Sequence, residues 1–225
     1  MSKITVNIDP REEKKLIADG IRKKLEESGI LAINLVSSPG SGKTTLLEHS
    51  LPLLSKKVRL AVIEADCATR NDADRLEARG IKVEMIANAI TGCHISPAAA
   101  KKAFEALDLE NLDVIVIENV GNLVCPSGVD LGEDYKIAMV SAAEGEDKPL
   151  KYPLLFQRAG LALINKVDAA DALDADVDLI ERNIKAVNPQ IEVMRISAKK
   201  DLNINLFNDW ILNKLKSKRK ETEQK

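Results

Sequence analysis

Residues 31–48 read LAINLVSSPGSGKTTLLE, an apolar run followed by a loop of small residues and then a helical pattern. The loop ends on Gly42, Lys43 and Thr44, the closing residues of the phosphate-loop pattern G-x-x-x-x-G-K-[ST]. Small residues let backbone N–H groups turn inward around a phosphate, beside a helix N-terminus that favours anions. The stretch therefore predicts a nucleotide-binding strand–loop–helix unit.

Each residue of this loop has an expected role. Lys43 would reach the β- and γ-phosphates as a catalytic cation, and the Thr44 hydroxyl would bind Mg²⁺. Ser37 stands where the pattern has its first glycine, which is workable if its backbone angles stay in an ordinary region. The expected nucleotide contacts in this loop are Gly40, Ser41, Gly42, Lys43, Thr44 and Thr45.

Apolar runs alternate with helical patterns along the rest of the chain. Runs that are short and continuously apolar indicate strands covered on both faces, as in a parallel sheet. The candidate strands are 31–36, 58–64, 81–87, 112–117, 136–142, 161–165 and 191–196, and the candidate helices are 10–28, 43–54, 71–79, 96–107, 153–159, 174–187 and 204–216. We expect one α/β P-loop domain over 31–216 with a mostly parallel, doubly wound sheet of about seven strands. A helical extension would precede it at 1–30, and a charged, disordered tail would follow at 217–225.

Composition excludes several classes of function. The 225 residues carry a formal net charge of −2 and only 3% aromatic side chains, which argues against a dedicated nucleic-acid binder. No apolar run approaches the roughly 20 residues of a membrane span, and the N-terminus lacks the apolar region of a secretory signal. We therefore expect no nucleic acid and no membrane as partners, and a cytoplasmic location.

A second motif predicts which base is bound. An apolar strand delivers Asn165, Lys166 and Asp168 in the N-K-x-D order of GTP-binding proteins. One carboxylate can accept from both guanine N1–H and the 2-amino group, whereas adenine would leave Asp168 unpaired. Asn165 can tie this loop to the phosphate loop, and Lys166 can lie over the base. Ser197-Ala198-Lys199, directly after the next strand, adds a backbone donor for guanine O6.

Two strand ends offer carboxylates for Mg²⁺ and for the attacking water. Glu118 follows one strand in the Walker-B place and could hold Mg²⁺, and Asp66 follows another and could hold Mg²⁺ or position the water. Asp72 is a rival for the water, and the residues alone do not rank the two aspartates. No glutamine follows Glu118 in the water-orienting place, so we expect slow intrinsic hydrolysis.

The three cysteines are Cys67, Cys93 and Cys125. An odd number argues against a disulfide framework. Cys93-His94 and Cys125 lie in loops that leave the same edge of the sheet, and soft N/S donors suit Zn²⁺ or Ni²⁺. Three ligands are one short of a closed tetrahedral site, so a water or a second subunit would complete it. Buried core remains the simpler interpretation of Cys67.

Several stretches together resemble one family. TGCH (91–94), IENVGNLVCP (117–126), EGEDKPLKYP (144–153) and INKVD (164–168) occur in order with the phosphate loop. The chain resembles the HypB family, SIMIBI-class GTPases that assist nickel insertion into [NiFe]-hydrogenase, from about residue 31 to 199. The related urease-accessory GTPases use a Cys-Pro-His motif that is absent here.

The resemblance implies a GTP-hydrolysing metallochaperone that uses GTP and Mg²⁺ and forms a homodimer with GTP. Cys93, His94 and Cys125 match the family's Zn/Ni positions, and the implied partners are a HypA-like nickel chaperone and the hydrogenase large subunit.

The chain departs from the family in two places. It has no Cys-rich or His-rich stretch before residue 31, and KKDLNINLF (199–207) replaces the usual Gly-containing turn after S-A-K.

The residues alone leave three alternative functions open. The first is a structural zinc-bridged dimer whose GTP site serves recognition only. The second is a urease-accessory-like GTPase. The third is an ATP-using P-loop kinase, against which Asp168 argues.

Overall fold

The computed structural model describes residues 9–65, 70–86 and 93–223. Strands and helices alternate through these ranges. The strands are β1 (Leu31–Ser37), β2 (Leu60–Glu64), β3 (Lys82–Met85), β4 (Val114–Glu118), β5 (Tyr135–Ser141), β6 (Ala159–Asn165) and β7 (Glu192–Arg195). The helices are α1 (Pro10–Glu27), α2 (Lys43–Leu54), α3 (Asn71–Glu77), α4 (Pro97–Ala106), α5 (Lys148–Lys151), α6 (Pro153–Arg158), α7 (Val177–Val187) and α8 (Ile204–Glu223).

The strands form one sheet in the order β3-β2-β4-β1-β5-β6-β7, and each neighbouring pair is parallel. All seven residues of β1 and all five of β4 are buried, as continuous apolar runs require when helices cover both faces. The predicted doubly wound α/β fold of about seven strands is therefore confirmed. Because every strand is parallel, all the strand carboxyl ends meet at one edge of the sheet.

The core divides across the two faces of the sheet. One face packs on α2 and α8 in a single cluster that includes Leu35, Leu47 and Phe207. The opposite face carries two separate clusters, one under α1 and α4 and the other under α6 and α7. Of the helices that the structure describes, none is both long and apolar enough to cross a membrane.

Local signals position the helices that frame the sheet edge. Ser96 accepts a hydrogen bond from the Ala99 N–H at 3.2 Å, and Pro97 occupies the first turn of α4. The predicted start of α4 is therefore confirmed. Gly29 takes a φ of +61° just after α1, the left-handed conformation that ends many helices.

The C-terminal segment differs from expectation. We predicted a disordered tail at 217–225, but α8 continues to Glu223. Lys218 donates to both carboxylate oxygens of Asp134 at 2.6 and 2.7 Å, and Arg219 donates to Asp113 at 2.6 Å. The prediction failed because a charge run looks solvated in sequence, whereas its counter-ions lie far away in the chain and meet it only in the fold.

Candidate functional site

The phosphate loop (residues 37–45) connects β1 to α2 at the carboxyl edge of the sheet. Gly40 and Gly42 take φ values of +72° and +98°, which favour glycine. A Cβ on Gly42 would also lie 2.6 Å from Asn165 Nδ2. Ser37 has an ordinary negative φ, since it is not among the residues with positive φ, so serine is compatible with the first position of the pattern.

Lys43 and Thr44 point into the cleft from the first turn of α2. Lys43 Nζ donates to Ser37 Oγ at 3.1 Å, and Thr44 Oγ1 donates to Glu118 Oε1 at 2.6 Å. Burial lowers the pKa of Lys43, and the nearby Glu118 carboxylate opposes that shift. Burial raises the pKa of Glu118 to about 7, opposed by the Thr44 hydrogen bond and the Lys43 charge. The buried lysine and carboxylate therefore share one cleft.

Glu118 Oε2 is buried and has no hydrogen-bond partner within the described chain. A buried carboxylate oxygen without a partner is costly unless a cation or water satisfies it. Hydroxyl and carboxylate oxygens are the ligands that Mg²⁺ takes in nucleotide sites. Thr44 and Glu118 together therefore fit a magnesium ion.

The cleft around these residues has a volume of about 520 Å³. Asp72, at the start of α3, lines it, and Arg75 donates to Asp72 Oδ1 at 2.8 Å. Arg75 also reaches Thr45 and pairs with Glu48 on α2. No predicted role in the sequence fell on Arg75. Its sequence signal is the D-x-x-T-x-x-D-A-x-R stretch of residues 66–75, which also resembles the HypB family. Asp66 and Cys67 lie outside the described residues.

The loops predicted to bind the base meet the phosphate loop through Asn165. Its Nδ2 donates to Ser41 O at 2.8 Å and its Oδ1 accepts from the Ala198 N–H at 2.9 Å, so the predicted tie between the loops is present. Lys166 Nζ donates to Gly40 O at 2.7 Å. Asp168 is exposed at the end of this loop.

The segment after Ser197-Ala198-Lys199 turns without a glycine. Asp201 and Asn203 take φ values of +55° and +61° there, and short polar residues tolerate this conformation best. The Ser197 and Leu202 backbones pair across the turn. The departure from the family's Gly-containing turn is therefore accommodated by Asp and Asn.

Cys93, His94 and Cys125 lie together in a cluster called here the metal triad. Their candidate ligand atoms all lie within 4.8 Å of one another. Cys93 lies before α4, and Cys125 begins a short 3₁₀ turn that ends at Gly128, in the loop between β4 and β5. Bonds of about 2.3 Å to sulfur and 2.0 Å to nitrogen suit a soft divalent ion at such separations. Burial lowers the pKa of His94, and the Lys14 charge adds to that shift.

The two sulfurs of the triad are in bonding contact, with Cα atoms 6.0 Å apart, as in a disulfide. The odd cysteine count argued against a disulfide framework, and the structure nonetheless pairs two of the three. The count limits the total number of pairs, but it cannot tell whether loops from neighbouring strand ends bring two thiols together. A disulfide and a dithiolate metal site are alternative oxidation states of this pair.

Glu144 is a further residue of the site to which no sequence motif assigned a role. Ser41 Oγ lies 2.6 Å from Glu144 Oε1, which also accepts from the Ser141 N–H at 2.9 Å. Glu144 thereby supports the phosphate loop from the β5 side. The EGEDKPLKYP stretch was the only sequence signal for it.

Comparisons with known proteins agree on one family. Residues 31–195 match the family described as CobW/HypB/UreG, nucleotide-binding domain. A hydrogenase maturation factor HypB from Azotobacter chroococcum is 45% identical over 190 residues, covering 84% of this chain. This chain spans 62% of the length of that relative.

Two solved structures have the same fold. HypB from Archaeoglobus fulgidus superposes with a TM-score of 0.84 at 34% identity, covering 91% of this chain and 99% of that one. HypB from Helicobacter pylori, solved in complex with nickel, superposes with a TM-score of 0.84 at 33% identity, covering 91% and 96%. The chain therefore belongs to the CobW/HypB/UreG family of nucleotide-binding proteins, and within it to the HypB hydrogenase maturation factors.

Proposed function

We propose that this chain is a GTP-hydrolysing metallochaperone that assists nickel insertion into [NiFe]-hydrogenase. One observation carries the proposal: the nucleotide cleft and the metal triad share the segment 119–129, called here the Cys125 loop. This loop follows Glu118 directly and contains Cys125. Gly121 of the loop packs on the phosphate loop, since a Cβ there would lie 2.9 Å from Pro39 Cα. A change at the phosphates therefore has a short physical route to the metal ligands.

GTP is the proposed nucleotide. The exposed Asp168 carboxylate can accept from two guanine donors, and Asn165 holds its loop against the phosphate loop. Mg²⁺ bound by Thr44 and Glu118 would neutralise phosphate charge, and Lys43 would reach the β- and γ-phosphates. Asp66 or Asp72 would position the attacking water. Because no glutamine follows Glu118 in the water-orienting place, hydrolysis by the isolated protein is expected to be slow.

Nickel is the proposed cargo, with zinc as its competitor for the same ligands. Two thiolates and a neutral imidazole suit both ions, and a relative at 33% identity has been solved with nickel. A fourth ligand would come from water or from a second copy of the chain in a GTP-promoted homodimer. By family membership, a HypA-like nickel chaperone and the hydrogenase large subunit are the proposed partners.

The test is a titration of reduced protein with Ni²⁺ and with Zn²⁺, in GDP and in a non-hydrolysable GTP analogue. We expect metal affinity or stoichiometry to change with the nucleotide, the mass from light scattering to double with the GTP analogue, and Cys125→Ser to lose most metal binding. Cys67→Ser is the matched control, because Cys67 has no assigned role.

The main alternative is a structural zinc-bridged dimer whose GTP site serves recognition only. It predicts that Zn²⁺ and the dimer mass persist in every nucleotide state and that no phosphate is released from GTP. Those results together would overturn the proposed function.

A further inference from the structure

Buried polar side chains interrupt the apolar face of the sheet under α1, α4, α6 and α7. Asn34 of β1 is fully buried, Lys136 of β5 is its register partner, and Glu133 lies just before β5. Along β1, Ala32 belongs to the cluster under α1 and α4, whereas Val36 belongs to the cluster under α6 and α7. Asn34 therefore lies where the two clusters separate.

These side chains form a continuous hydrogen-bonded chain. Asn119 Nδ2 donates to Asn34 Oδ1 at 3.1 Å, and Asn34 Nδ2 donates to Glu133 Oε1 at 3.0 Å. Glu133 Oε1 pairs with Lys136 Nζ at 3.1 Å. The four side chains are each at least nine-tenths buried, so water does not compete for these contacts.

The two ends of this chain lie beside the two functional centres. Asn119 directly follows Glu118, and its Oδ1 also accepts from the Val120 N–H at 2.9 Å. At the other end, Lys136 Nζ donates to Pro126 O at 3.1 Å and to Val129 O at 2.7 Å. Pro126 directly follows Cys125. The chain therefore joins the strand end at the nucleotide cleft to the turn that carries a metal ligand.

We infer that Asn119, Asn34, Glu133 and Lys136 are positioning residues that transmit the nucleotide state to the Cys125 turn. The inference rests on the proposed function, in which nucleotide and metal binding are coupled. A shift of the Glu118–Asn119 backbone on binding Mg²⁺ and nucleotide moves the first donor of the chain. Since each member is held by its neighbour, the displacement reaches the carbonyls that fix the Cys125 turn.

A purely stabilising role explains these residues less well. Buried ion pairs are often no better for stability than apolar residues of the same volume. Apolar side chains at these four positions would also join the two core clusters that the polar chain separates. A fully satisfied buried network does, however, hold one arrangement of the backbone, which is what transmission of a small displacement requires.

The experiment measures the ratio of Ni²⁺ Kd values in GDP and in a non-hydrolysable GTP analogue. Couplings between sites are typically about 5- to 150-fold. We expect the wild-type ratio in that range and a ratio below about 2 in the double variant Glu133→Gln/Lys136→Met. The double variant removes both charges together, so neither ion is left buried without its counter-ion, and we expect it to fold. Asn34→Ala breaks the chain at another link and should lower the ratio as well.

Lys185→Met is the matched control. Lys185 is a partly buried lysine of α7 that also donates to a backbone carbonyl, that of Ile191. It is not a member of the chain Asn119–Asn34–Glu133–Lys136. Lys185→Met should lower thermal stability without changing the ratio. The Ni²⁺–thiolate absorbance band provides a second readout, which should differ between nucleotides in the wild type and be the same in both nucleotides for the double variant.

The outcomes separate the two proposals. A wild-type ratio near one overturns both the proposed function and this inference. A normal wild-type ratio that persists in the double variant and in Asn34→Ala overturns the inference alone. A fall in the ratio that Lys185→Met reproduces also overturns it, because the effect would then follow stability and not this chain of residues.

Discussion

Asn165 shows how much a single side chain organises at the nucleotide site. Its amide holds Ser41 on one side and Ala198 on the other, and it leaves no room for a Cβ at Gly42. The N-K-x-D pattern predicted the identity and the general role of this residue. Its dual hydrogen bonding is a tertiary feature, because the three loops that it joins come from separate parts of the chain.

Asp168→Asn is expected to change which base is bound. The amide cannot accept from both guanine donors, so GTP affinity should fall by roughly 100-fold or more. Its NH₂ group can donate to the carbonyl that xanthine carries in place of the 2-amino group, so xanthosine triphosphate should gain affinity. Competition with fluorescent nucleotides measures both. Asp171→Asn, an exposed neighbour, should change neither affinity, and unaltered GTP binding by Asp168→Asn would contradict the assignment of the base site.

At the scale of elements, the Cys125 loop is held at both of its ends. Gly121 packs on Pro39 of the phosphate loop, and Lys136 holds the Pro126 and Val129 carbonyls at the far end. The strand ends predicted that Glu118 and Cys125 share a loop. The contact with Pro39 could not be predicted, because periodicity reports which face is buried and not how closely two loop backbones approach.

Gly121→Ala tests the contact between the two loops. The added Cβ would meet the Pro39 backbone at 2.9 to 3.0 Å, so one loop must shift. We expect GDP affinity to fall about tenfold, equivalent to about 1.4 kcal/mol, and Ni²⁺ affinity to change with it. Isothermal titration of both ligands measures this.

Gly128→Ala is the control in the same loop, since its Cβ would meet only Leu154 Cδ2, at 3.9 Å. Both glycines have ordinary φ values, so the comparison isolates the contact from backbone strain. Equal GDP affinities for the two variants would rule out a functional contact between Gly121 and Pro39.

Over the whole molecule, α8 connects the carboxyl edge of the sheet to the opposite edge. It starts after the loop of Ser197 and ends near the amino ends of the strands, where Arg219 meets Asp113 before β4. Arg59, before β2, donates to the same carboxylate. Asp113 therefore links three segments that are distant in sequence.

Asp113→Asn should remove an acid-sensitive part of the stability. Hydrogen bonds from Arg59, and a further one from Arg219, hold the pKa of Asp113 well below its ordinary value. A carboxylate with a depressed folded pKa stabilises the protein above its unfolded pKa of about 4 and loses that contribution as the pH falls further. The wild type should therefore exceed the variant in free energy of unfolding at pH 7, and the difference should shrink below about pH 4.

Urea unfolding followed by the fluorescence of Trp210, the single tryptophan of the chain, measures this difference. Asp209→Asn, on the exposed face of α8, is the control for loss of a surface carboxylate. A difference between wild type and Asp113→Asn that stays constant from pH 3 to 7 would contradict the assignment.

The sequence by itself determined the fold class, the seven strands, the phosphate loop and the motifs at the strand ends. These features are local, because strand periodicity, caps and loop chemistry depend on residues close together in the chain. Only the tertiary structure decided that α8 continues through Lys218 and Arg219, that two cysteines meet, and that Asn34, Glu133 and Lys136 form one buried chain. Each of these features depends on at least one contact between residues that lie 30 to more than 100 positions apart in the chain. Such contacts stabilise the protein only once the sheet has brought the segments together.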